Sequence, residues 1–226
     1  MRTTFFLFLA LVFGFGIATT TQAAPVDTLV ISEVFYDRDG GDDQYEWIEL
    51  FNGTSGTIDL SGWSLGSGGT DYADGTNQLA GMIAPNSYFV VGGPRSDDSN
   101  GNPLFSLAFD LKNLQNSGAT ADGVALFNLP ASAITAAAVP AYSVIYGGSN
   151  DNGLLDPSGA IGAVDVGDAP EGHSIELLGL TEGWVINPSP TPGSGPLATA
   201  PVPAALWLLG SGLVGLVGLK RKDATL

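Results

Sequence analysis

Five acidic side chains, Asp37, Asp39, Asp42, Asp43 and Glu46, fall within the ten-residue run DRDGGDDQYE. Carboxylates at near-alternating positions among glycines suit Ca2+, which takes hard oxygen ligands from a flexible turn. The spacing is not that of an EF-hand, whose twelve-residue loop closes on a bidentate Glu. A solvated turn is the other reading of the same residues, since Asp and Gly favour turns with or without an ion. Asp97-Asp98-Ser99-Asn100, and Asn150-Asp151-Asn152 with Asp156, repeat the pattern more faintly.

Other chemistry is poorly served. A nucleophilic triad needs a base, and the single histidine, His173, sits in a Gly-His-Ser turn that reads as the entry to a strand. One histidine and no cysteine leave zinc without a ligand set. No pair of carboxylates is marked out for glycoside hydrolysis, and neither a phosphate loop nor a dinucleotide fingerprint is present. The expectation is a protein that is not an enzyme, with no catalytic or cofactor-binding residue and Ca2+ as the one ion to consider.

The charge balance narrows the partners. The chain of 226 residues carries a formal net charge of −16. Between residues 24 and 200 there are 22 Asp and Glu against three basic residues, Arg38, Arg95 and Lys112. Nucleic-acid binding depends on Lys and Arg displacing counterions from phosphates, so this stretch excludes it as a partner. The absence of cysteine removes the disulfide staples of many exported domains, so stability rests on a packed core or bound ions.

The elements that must position these loops are short and β-rich. Thr28 to Tyr36 reads as a first strand with Leu29, Ile31 and Phe35 on one face. In Glu46 to Asn52 alternation turns Ile48 and Leu50 inward, while Glu46 and Glu49 do not share a face, which suggests a wet edge or a bulge. Thr57 to Leu60, Ser61 to Leu65, Tyr88 to Val91, Leu104 to Phe109, Gly123 to Phe127, Tyr142 to Tyr146 and Ser174 to Leu177 continue the series. The alanine-rich run Ala131 to Val139 is hemmed by Pro130 and Pro140 and is expected to be a connection. Some eight short strands without a helix-period segment indicate an all-β sandwich.

Both ends differ from the middle. Met1 and Arg2, the apolar run Phe5 to Ile17, and Thr21-Gln22-Ala23 have the order of a secretory signal peptide, residues 1–23, cleaved after Ala23. The folded domain is expected over residues 24–187, and the Pro, Gly, Ser and Thr-rich residues 188–201 as a semi-stiff linker. Residues 202–219 are apolar and long enough to span roughly 27 Å as a helix, so one C-terminal transmembrane helix is expected. Trp207 would anchor it at the outer interface, and Lys220, Arg221 and Lys222, in the tail 220–226, would hold it on the cytoplasmic side.

Several stretches resemble a known family. LVISEVFYD (29–37), EWIELFN (46–52), IDLSGWSL (58–65) and IAPNSYFVV (83–91) resemble the lamin-tail domain in its bacterial exported form, as do DGVALFN (122–128), SVIYGG (143–148), HSIEL (173–177) and NPSPTPG (187–193). The resemblance implies an immunoglobulin-like β-sandwich and a binding or adhesion role without catalytic residues. It places Trp47, Trp63, Ile48, Leu50, Ile58, Leu60 and Phe89 in or near the core. The tail resembles the PEP-CTERM sorting signals, with Val202, Pro203 and Ala204 as the sorting motif before a helix containing LLGSGL (208–213). It departs from that pattern in having Pro-Val-Pro at 201–203 in place of Pro-Glu-Pro.

These resemblances imply a Gram-negative bacterium, an exosortase-type processing enzyme and the inner membrane as partners, and extracellular polysaccharide or protein as a ligand. The expected protein is an exported cell-surface binding module. It would be either a single-pass membrane protein with its N-terminal domain outside, or a surface or secreted protein after C-terminal processing. The alternative is an extracellular hydrolase or hydrolase-accessory domain.

Overall fold

The computed structural model describes residues 26–197 apart from 113 and 117. Its twelve strands are β1 Leu29–Phe35, β2 Trp47–Asn52, β3 Ile58–Asp59, β4 Ser64–Gly68, β5 Gly75–Gln78, β6 Met82–Ile83, β7 Ser87–Gly92, β8 Leu107–Ala108, β9 Asp122–Phe127, β10 Tyr142–Tyr146, β11 Ser174–Gly179 and β12 Gly183–Asn187. A six-stranded sheet, in the order β12-β11-β1-β2-β7-β8, faces a four-stranded sheet ordered β10-β9-β4-β5. β3 and β6 form a small separate ribbon. All pairings are antiparallel except β7 with β8. The fold is all-β and consistent with an immunoglobulin-like sandwich.

The main core lies between the two sheets. Ile31, Val34, Ile48, Leu50, Phe89, Val91 and Ile175 from the first meet Leu65, Val124, Leu126, Val144 and Tyr146 from the second. Tyr36 and Tyr146 stack across the interior with ring centroids 4.3 Å apart. Trp47, Ile48, Leu50, Leu60 and Phe89 are buried, while Trp63 and Ile58 are half-buried against the same cluster.

One register shift in β1 reorganises what alternation alone would give. Between Ile31 and Glu33 the pairing with β2 slips by one residue, so Ser32 and Glu33 both turn outward. Phe35 therefore does not join Leu29 and Ile31 inside; it stacks on Trp47 on the outer face, with centroids 5.8 Å apart. Neither is β2 a wet edge. It lies between β1 and β7, and Glu49 is 1% exposed. The outer face is covered as well, which is why β1 and β2 are buried along their whole length.

Two strands escape sequence patterning. β5 is the polar run GTNQ inside a glycine-rich loop, and β12 lies where the domain reads as ending. Ala131–Ala133 is a single 3-10 turn within the expected connection. The chain beyond β12 is not a free linker over its described part. Thr191 and Gly193 hydrogen-bond to buried carboxylates of the sheet, and Leu197 is 7% exposed.

The expected membrane helix is corrected. Among the described residues no helix is long and apolar enough to cross a membrane. The assigned span, 202–219, with Trp207, Lys220, Arg221 and Lys222, lies outside the described residues, as does Ala23. The structure gives the fold class as the β-sandwich alone, and it lends membrane anchoring no support.

Candidate functional site

The acidic run leaves β1 at one end of the sandwich and returns at Glu46 into β2. Its turn is fixed from within and from outside. The Tyr45 amide donates to the Asp42 carbonyl at 2.8 Å, and Gln44 adopts a left-handed φ of 69°. The Gly93 and Arg95 amides donate to the carbonyls of Glu46 and Gln44.

The structure divides the five predicted residues. Asp37, Asp42 and Glu46 are half-buried, whereas Asp39 and Asp43 are exposed. The Asn116 amide nitrogen bridges Asp37 and Asp42, donating to their carboxylates at 3.1 and 2.7 Å. Three further carboxylates reach the same end from loops distant in the chain: Asp110, Asp168 and Glu171. The Tyr36 hydroxyl donates to Asp168 at 3.2 Å and accepts from the Ala169 amide at 2.6 Å, and the Gly172 amide donates to the Asp37 carbonyl at 2.8 Å, which ties the 168–172 loop to the end of β1.

Electrostatics at this end are repulsive. Burial, reinforced by Asp42, Asp110, Asp43 and Asp37, pushes the Glu46 carboxyl up to about 9. Burial followed by Glu171, Asp42 and Asp168 pushes Asp37 up to about 6. The nearest guanidinium is turned elsewhere. Arg38 reaches Asp97 at 3.5 Å and the Ser99 hydroxyl, and lies over the Tyr45 ring 3.9 Å from its centroid. A proton or an arriving cation is the way to relieve such a group of carboxylates. As the side chains are arranged, no three His, Asp or Glu among the described residues are placed to hold a metal ion.

The fainter acidic loops have local work instead. Asp97 caps a 3-10 turn in a reciprocal capping box with Asn100, and its carboxyl is held below the usual range by hydrogen bonds from Ser99. Asn100 is fully buried; its amide nitrogen donates to the Tyr45 and Arg95 carbonyls, and its own carbonyl accepts from the Trp47 indole at 2.9 Å. Asn150 likewise ties Leu154 to Gly162, and Asp156 caps Ser158. His173 precedes β11 with a ring nitrogen 3.0 Å from the Glu171 carbonyl, in no constellation of catalytic type.

Sequence reading found the acidic run but not Asp110, Asp168, Glu171 or Asn116. Nothing in their local context distinguishes them from ordinary loop residues, because only the return of three loops to one end of the sandwich brings them together.

Residues 22–160 match the family model described as Lamin Tail Domain. The chain belongs to the lamin tail domain family. The matched region carries β1 to β10, and β11, beyond it, pairs with β1 as part of the same sheet. The lamin tail domain is typically a non-catalytic module. No curated protein and no solved structure matches the chain. The expected PEP-CTERM signal at Val202, Pro203 and Ala204 falls outside the described residues, and no comparison supports it or exosortase processing.

Proposed function

We propose that this lamin tail domain protein is an exported, non-catalytic binding or adhesion module whose acidic end is its contact surface for positive charge. The observation that carries the reading is the gathering of Asp37, Asp42, Glu46, Asp110, Asp168 and Glu171 at one end while Arg38 is committed to Asp97. Export is supported by the basic, apolar and small-residue order of residues 1–23. Two sources of positive charge would relieve it: Ca2+, once the carboxylates draw together around it, and a Lys- or Arg-rich segment of an extracellular protein.

The test is a thermal melt and a calorimetric titration of the purified protein. One arm uses millimolar CaCl2 with a chelator control, one a lysine-rich peptide across a salt series, and one neutral polysaccharide. A calcium-dependent rise in Tm, or peptide binding that weakens with salt, is expected, and Asp42→Asn should diminish it. Binding to polysaccharide alone, unaffected by Asp42→Asn, would show that another face makes the contact. No response in any arm would sink the proposal.

A further inference from the structure

A second group of carboxylates, outside the acidic turn, crosses the outer face of the six-stranded sheet. Glu33 on β1 stands directly opposite Glu176 on β11 and Glu49 on β2, so three adjacent strands place three carboxylates in one row. Like charges directly opposed across strands are destabilising. Even so, Glu33 and Glu49 are 0% and 1% exposed. β1, β2, β7, β11 and β12 contain no Lys, Arg or His to neutralise them.

What covers the row is the segment after β12, Ser-Pro-Thr-Pro-Gly-Ser-Gly-Pro-Leu at residues 189–197. The Thr191 amide donates to both Glu33 oxygens at 3.1 and 3.3 Å, and its hydroxyl lies 3.0 Å from Glu33 and 3.3 Å from Glu176. The Gly193 amide donates to Glu49 at 2.6 Å. Gly195 lies so close that a Cβ there would stand 3.1 Å from the Tyr88 hydroxyl and 3.3 Å from Glu176. Leu197 then inserts into an apolar cluster with Val26, Val30, Phe51 and Leu177. The segment has no charged group, and proline at 190, 192 and 196 limits its conformations.

We propose that residues 189–197 are a pH-governed strap, closed over this row while Glu33, Glu49 and Glu176 hold protons among them and released as they ionise, uncovering the apolar surface around Val30 and Phe51. The device goes beyond the binding role proposed above and does not depend on it. Among the described residues, every other group facing the row is neutral. Ser32 donates to Glu49, Ser174 and Asn187 donate to Glu33, and Tyr88 stands on the neighbouring strand β7.

The direction follows from competing effects. Hydrogen bonds from the strap and the serines favour the ionised form, but burial outweighs them, pushing Glu33 up to about 7 and Glu49 up to about 8 from an ordinary 4.5. Burial raises Glu176 also. Release returns the carboxylates to water and to ordinary values, so the closed state binds more protons. Closure is therefore strongest below about pH 4.5, weakens as pH rises, and loses nothing more above about 8. One carboxylate moved from 4.5 to about 7 corresponds to a limiting change of about 300-fold in the closing equilibrium.

Hydrogen–deuterium exchange of the full chain between pH 5 and 8.5, corrected for intrinsic rates, tests this. Protection of the Thr191 and Gly193 amides should fall tenfold or more, while amides of β2 hold. In Glu33→Gln/Glu49→Gln the fall should shrink to the part that Glu176 alone supplies. Glu176→Gln, at the less buried end of the row, should reduce it and serves if the double variant does not fold. Constant protection in the wild type, an undiminished fall in the variants, or parallel loss in β2 would each overturn the proposal.

Discussion

Replacing Glu46 by glutamine should stabilise the protein in alkali and leave it unchanged in acid. A carboxyl whose folded value is raised binds its proton more tightly in the native state, so it costs nothing below the unfolded value of 4.5. The cost grows as pH climbs through the interval up to about 9. Each pK unit corresponds to about 1.4 kcal/mol, which sets a ceiling of about 5 kcal/mol at pH 8 for a group moved this far. Asp37 and Asp42 share the same field, and removing one charge lets them relax, so roughly 2–4 kcal/mol is the expected gain. Glutamine keeps the shape and removes the charge. Urea unfolding of wild type and Glu46→Gln at pH 4.5, 6 and 8 reads the difference, and Glu33 and Glu49 cancel because both proteins retain them. A difference that stays constant with pH, or shrinks as pH rises, would refute the electrostatic account of the acidic end.

Three further predictions concern the frame. Trp47→Ala should cost about 3–5 kcal/mol in urea unfolding, since it removes a fully buried ring stacked on Phe35 and the indole donor to Asn100. Asn52→Ala should cost on the order of 2–3 kcal/mol, because the fully buried Asn52 amide holds the Gly56, Ile83 and Ala84 carbonyls together, and faster exchange should appear at residues 54–56. Gly53→Ala would set a Cβ 2.0 Å from the Val26 carbonyl oxygen. The backbone must move to admit it, so a loss on the order of 1–3 kcal/mol is expected, visible as a Tm lowered by several degrees.

Composition and alternation determined a good deal of this protein. The β-branched and aromatic runs separated by Asn, Asp and Gly turns suffice to specify an all-β sandwich, because strand period and turn chemistry are local properties. The same runs give most of the core, from Trp47 to Phe89, and the acidic turn after Tyr36 is evident from its residues alone. Local patterning fails where a local signal is absent or misleading. The slip between Ile31 and Glu33 sends Phe35 outward, and a bulge has no signature in a run as uniformly apolar as LVISEVF. β5 is a strand because β4 supplies its hydrogen bonds, not because GTNQ prefers to be one.

Only the tertiary structure decided which carboxylates meet. Asp110, Asp168 and Glu171 join Asp37 and Glu46 because separate loops return to one end of the sandwich. Glu33, Glu49 and Glu176 form a row because β1 lies between β2 and β11, partners that are 16 and 143 positions away at the paired glutamates. A glutamate inside a strand reads as a solvated outward residue, since the outer face of a sandwich normally meets water. Here residues 189–197 cover that face, and a stretch whose composition suggests a linker becomes part of the domain. The cost of burying those charges depends on what lies over them, and that is a property of the folded chain.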